Sequence, residues 1–135
     1  MLGMPRPIVL IAAGMAAVAG ATLGSAVTVE NGSALFRSYC ASCHGAGGKG
    51  DGPLAANLRV APSDLTRLAK RNHGKFDTEK VRHAIDGRGP KEIHGGSDMP
   101  VWGDAFKRSG EGYSEAKVKE RIDALVEHIS TVQEP

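Results

Sequence analysis

The sequence predicts a single all-α domain, and three observations carry that prediction. Apolar residues recur at helical spacing, most plainly at Val118, Ile122, Leu125, Val126 and Ile129, which form one stripe. Helix-starting and helix-stopping residues bracket the periodic runs. No stretch alternates apolar and polar residues as a half-buried strand does, no internal repeat appears, and no linker divides the region.

The elements follow in order. Arg6 supplies positive charge, and about 16 residues, Ile8 to Leu23, then run without a charged side chain. Small residues come next, with Ala19-Gly20-Ala21 and Gly24-Ser25-Ala26 both suited to cleavage. This is the pattern of a secretory signal peptide; the run is short of the ~20 residues that span a bilayer, so an uncleaved anchor is the alternative reading. Residues 1–26 are thus expected to be a targeting segment and 27–135 the exported domain. A helix is expected from about Gly32 into Cys40, with Leu35, Phe36 and Tyr39 on one face. Gly45 to Pro53 holds five glycines and reads as irregular loop. Pro62-Ser63-Asp64 caps a second helix through Leu65 and Leu68, closing near Gly74. A third runs from about Thr78 to Asp86, with Val81 and Ile85 one turn apart and Gly87 as the stop. From Gly87 to Gly112 the chain reads as loop with one short turn around Trp102. The last helix starts at Ser114, with Glu115 at its positive end.

Composition narrows the function. The chain has 135 residues, 41% of them hydrophobic but only 4% aromatic, a thin core that a buried apolar cofactor would relieve. Its formal charge of +2 balances 17 Lys and Arg against 15 Asp and Glu, which argues against a nucleic-acid partner. Both cysteines lie in one short segment, too few for a disulfide framework.

That segment, Cys40-Ala41-Ser42-Cys43-His44, is the C-x-x-C-H attachment motif for c-type haem. Residues three and four apart share a helix face, so Cys40 and Cys43 can bond the two vinyl groups on one porphyrin edge while His44 reaches the iron. A thioredoxin-like redox pair would call for a βαβ setting, and a zinc site for further ligands beyond scattered histidines. For the second axial position a thioether suits electron transfer because it favours reduced iron. Met99, the one methionine beyond the N-terminal segment, lies 55 residues after His44 in a loop, followed by Pro100, and has no apolar stripe to serve. The rival is His94 in the same loop. His83 falls on the polar face of its helix and reads as solvated, His128 flanks the terminal stripe and His73 sits at a helix end, where a positive charge is welcome; none of the three reads as a ligand.

With these residues the chain, from Gly32 to about Val132, resembles the class I monohaem cytochromes c, in the bacterial form whose ligand loop reads M-P-x-W. The resemblance implies about 4–5 short helices wrapped round one covalently bound haem c, with its iron. Gly32 and Phe36 precede Cys40 as in that family, where the first helix crosses the last through a small residue. Gly52-Pro53-Leu54 is similar to the family's post-motif proline, whose carbonyl accepts the hydrogen bond of the ligand histidine; Pro62 is the other candidate. Met99-Pro100-Val101-Trp102 implies Met99 as axial ligand, with Trp102 packed near the haem. The terminal helix departs from the better-known members, which carry an aromatic facing the first helix; Leu125 or Val126 is expected to fill that space. The implied function is a periplasmic electron carrier, not an enzyme, serving redox partner proteins such as a copper nitrite reductase or a terminal oxidase, with membrane contact only if the N-terminal segment is retained. The alternatives are a cytochrome subunit of a larger oxidase, reductase or dehydrogenase complex, and an open-site haem enzyme or gas sensor. Arg59, Arg67, Lys70, Arg71 and Lys75 against Asp64 alone give residues 59–75 a local excess of four positive charges, suited to acidic docking sites.

Overall fold

The computed structural model describes residues 31–89, 98–109 and 113–135. Residues 1–26, expected to be a targeting segment, and His94 lie outside them. Six α-helices and two 3-10 turns make up the described residues, with no strand among them.

Helix α1 (Gly32–Tyr39) starts at Asn31, whose side chain accepts from the Ser33 N–H at 2.9 Å. Cys40 bends the chain, and a single turn, α2 (Ala41–His44), follows. A 3-10 turn covers Ala55–Asn57, and a second, Leu65–Arg67, runs directly into α3 (Leu68–Arg71). Asp64 caps that second turn by accepting from both the N–H and the hydroxyl of Thr66, so the buried threonine has its polar groups satisfied. Helix α4 (Thr78–Asp86) is capped by Asp77 and stopped by Gly87 in the left-handed conformation, as the sequence predicts. Helix α5 spans Trp102–Arg108, and α6 spans Glu115–Thr131 with Ser114 accepting from the Lys117 N–H.

The longest helix, α6, is the spine against which α1, α4 and α5 pack. Its stripe of Val118, Ile122, Leu125, Val126 and Ile129 is buried together with Leu35 and Phe36 of α1, Ile85 of α4 and Phe106 of α5. The crossing of α1 and α6 is close because Gly32 has no side chain: a β-carbon there would lie 2.0 Å from the Ala124 carbonyl oxygen. Gln133 and Glu134 then tie the chain's end back to the other side. Gln133 donates to the Leu65 carbonyl at 2.7 Å and accepts from the Ala69 N–H at 2.8 Å, and the Glu134 N–H donates to the Thr66 carbonyl.

Two expectations about the elements are corrected. The segment around Trp102 is a seven-residue helix rather than a single turn. Trp102 and Phe106, four residues apart, face one aromatic cluster and hold it in place, whereas Val101 offers no side-chain cap to announce it. The second predicted helix is shorter, because α3 stops at Arg71 and the Gly74 N–H turns back to the Ala69 carbonyl. Leu125 and Val126 are buried in one cluster with Leu35 and Phe36 of α1, in keeping with the expectation. The His128 ring lies on Phe36, centroids 5.1 Å apart, and supplies the flat partner in place of the missing aromatic. His83 and His73 are exposed, as expected. Among the described residues no helix is long and apolar enough to cross a membrane.

Candidate functional site

The site begins with the single turn α2. Its last carbonyls have no helical partners, and the glycine-rich loop folds back to supply them. The Leu54 N–H donates to the Ser42 carbonyl at 2.9 Å, the Gly52 N–H to Cys43 at 3.1 Å and the Gly50 N–H to His44 at 2.7 Å. At Gly50, with φ +81°, a β-carbon would sit 2.5 Å from the Pro62 carbonyl oxygen, so only glycine lets residues 61–63 approach α2 this closely. The Leu65 N–H donates to the Gly48 carbonyl at 2.7 Å and closes the same contact.

That approach decides how His44 is held. Its Nδ1 lies 2.9 Å from the Ser63 carbonyl, so neither Pro53 nor Pro62 provides the expected acceptor. Pro53 is exposed and lies away from the cavity described below, while Pro62 lines that cavity one residue before the carbonyl that is used. The glycine loop carries the chain past α2 to Pro53 and on around the turn, so the chain returning through Ser63, and not the loop, faces the ring. With Nδ1 donating to a carbonyl, Nε2 is left as the free lone pair for a metal.

Cys40, Cys43 and His44 line one side of a cavity of about 450 Å³, in the range of about 300–1,000 Å³ usual for cofactor sites. Leu58, Leu65, Leu68, Val81 and Ile85 give it apolar walls, and Met99 and Trp102 also line it. Trp102 packs edge-on against Tyr39 (centroids 5.5 Å) and tilted against Phe106 (5.4 Å), so it is both core and cavity wall. Cys40 and Cys43 are both free thiols. Burial, and then the neighbouring Cys43, push the Cys40 thiol up to about 12. A redox-active or zinc-binding cysteine needs the thiolate, which that shift disfavours. Among the described residues no cluster of three or more His, Cys, Asp or Glu side chains is placed to hold a metal ion by itself.

The cytochrome c family model matches residues 29–133. The chain belongs to the cytochrome c family. Searches of curated proteins and of solved structures gave no significant match. Members of this family bind haem c covalently and transfer electrons through its iron. The donors fit that group: two thiols and an imidazole project from one turn and its preceding bend into an apolar cavity, the imidazole already oriented by a backbone acceptor.

Sequence reasoning missed three contributors. Ser63 acts through its main chain, which leaves no signature in residue type beyond its place in the cap Pro62-Ser63-Asp64. Arg121 is buried, with its guanidinium 4.8 Å from the Phe106 ring centre and 4.7 Å from that of Tyr113, and it donates to the Tyr39 hydroxyl at 3.5 Å. Its position was readable, since it falls three residues after Val118 and four before Leu125, on the apolar stripe. Asp98, beside Met99, takes the side chain and main chain of Arg59, a pairing across 39 residues that no local pattern marks.

Proposed function

We propose that the protein is a periplasmic electron shuttle with one haem c, ligated by His44 and Met99 and attached through Cys40 and Cys43. The observation that supports this most is the joint lining of one apolar cavity by the attachment turn and by Met99, 55 residues apart in the chain. The haem supplies a one-electron ferric/ferrous couple. The protein's part is to hold it and to exclude competitors. The Ser63 carbonyl fixes the His44 tautomer and makes the ring more electron-rich, which favours ferric iron; a Met99 thioether pulls the other way, towards ferrous. Apolar walls disfavour the extra charge of the oxidised form and raise the potential further. With both axial positions closed, no substrate reaches the iron, which is why the reading is a carrier and not an enzyme. The charge-free run of residues 8–23 supports export, and the partners proposed are periplasmic redox proteins such as a copper nitrite reductase or a terminal oxidase.

The test is an optical spectrum of the holoprotein, oxidised and reduced. Sharp reduced bands of low-spin c-type haem and the weak far-red band of iron–thioether bonding are expected, with the far-red band lost in Met99→Ala. A high-spin oxidised wild type would sink the shuttle in favour of an open-site haem protein.

A further inference from the structure

The cavity wall contains a segment that reaches both proposed ligands, and its two contacts are independent observations. At one end the Ser63 carbonyl takes His44 Nδ1 at 2.9 Å. At the other end Arg59 grips Asp98, the neighbour of Met99. The Arg59 backbone N–H donates to Asp98 Oδ2 at 3.0 Å, while its Nε and Nη2 donate to Oδ1 at 3.2 and 2.9 Å. A carboxylate held by a guanidinium fork and a backbone N–H together is fixed in direction as well as in distance. Because an aspartate side chain is short, the grip fixes the Asp98 main chain and hence where Met99 begins. Between the two contacts, Val60, Ala61 and Pro62 line the cavity, and the proline restrains itself and Ala61 to extended backbone.

We propose that residues 59–63 form a strap that sets both axial positions together, with Arg59 a positioning residue for Met99. This rests on the reading of His44 and Met99 as the ligands. The ligand segment is anchored on its far side by Trp102, packed between Tyr39 and Phe106 in the core. On its near side the described anchor is the Arg59–Asp98 fork, and this one lies at the surface, with the Arg59 side chain 76% exposed and that of Asp98 20%. The core therefore forms without the fork, and what the fork governs is how often Met99 leaves the iron.

The experiment uses the ferric holoprotein and imidazole, which competes with Met99 for the sixth position. Arg59→Met is expected to tighten imidazole binding about two- to fivefold, the upper range for a surface ion pair, while the far-red band survives in the absence of imidazole. Arg59→Lys, which keeps the charge but loses the fork, falls between wild type and Arg59→Met. Asp98→Asn shifts binding the same way, and combining it with Arg59→Met adds little, because both break one contact. Haem content and melting temperature, measured on each variant, show whether it folds; a merely structural pair would lower the melting temperature and leave imidazole affinity as it was. Unchanged imidazole affinity in Arg59→Met and Asp98→Asn, with the far-red band present, overturns the strap and leaves Met99 ligation standing. A wild-type protein that lacks the band overturns the ligation, and the strap with it.

Discussion

His128 shows how much a single residue's role depends on what faces it. By spacing it flanks the apolar stripe of α6, and nothing local says what its ring meets. In the fold its ring lies on Phe36, and burial, with the Arg37 charge behind it, holds the imidazole below the usual histidine range. The unfolded chain then binds the proton more readily than the fold does. Stability contributed by the neutral ring is present above the ordinary histidine pKa of about 6.5 and declines as pH falls through the lower folded value. Urea denaturation of the holoprotein between neutral and mildly acidic pH should show that decline, and His128→Phe should flatten it; equal slopes for the two proteins would refute the assignment. Ser63 is the harder case at this scale. Cysteine and histidine at fixed spacing announce themselves, but a carbonyl is common to every residue, and which one meets His44 is decided by where the returning chain passes.

At the scale of elements, the start and stop chemistry of α4 and α6 was readable because it is local: Asp77 and Ser114 accept from N–H groups three residues on, and Gly87 takes the left-handed turn. Helix α5 escaped because its stability is tertiary. Trp102 and Phe106 order it through Tyr39, and Arg88 links α4 to α6 by bridging Asp86 (2.7 Å) and Glu115 (2.9 Å), while Lys107 of α5 also pairs with Glu115. The α1–α6 crossing yields the sharpest expectation. Gly32→Ala places a methyl group 2.0 Å from the Ala124 carbonyl oxygen, a backbone atom that cannot turn aside. Separating the helices should cost about 1–3 kcal/mol, more than the ~0.5–1 kcal/mol that alanine contributes in a helix. A fall in melting temperature on the order of 5–10 °C is expected, and a variant as stable as wild type would show that the helices can part freely.

For the whole molecule, the basic excess of residues 59–75 is partly spent inside the fold. Arg59 serves Asp98, Arg71 donates to the Asp64 carbonyl at 2.8 Å and Lys70 to the Pro135 carbonyl at 3.4 Å, leaving Arg67 and Lys75 exposed at the surface. These two side chains should steer anionic partners. Neutralising them in Arg67→Gln/Lys75→Gln should slow oxidation of the reduced protein by ferricyanide severalfold at low salt and make that rate less salt-dependent. A cationic cobalt oxidant should not be slowed. Equal ferricyanide rates for variant and wild type at every ionic strength would rule out steering by this patch.

The sequence by itself determined the all-α architecture and the C-x-x-C-H turn Cys40 to His44, because periodicity, capping and motif spacing are written within a few residues of one another, and it nominated Met99 as the one methionine beyond the N-terminal segment. The tertiary structure alone decided that Ser63 orients His44, that His128 meets Phe36, and that Arg59 reaches Asp98. Each of those contacts joins groups far apart in the chain, two of them through backbone atoms, and which of them meet depends on how closely the main chain can approach itself at Gly32 and Gly50.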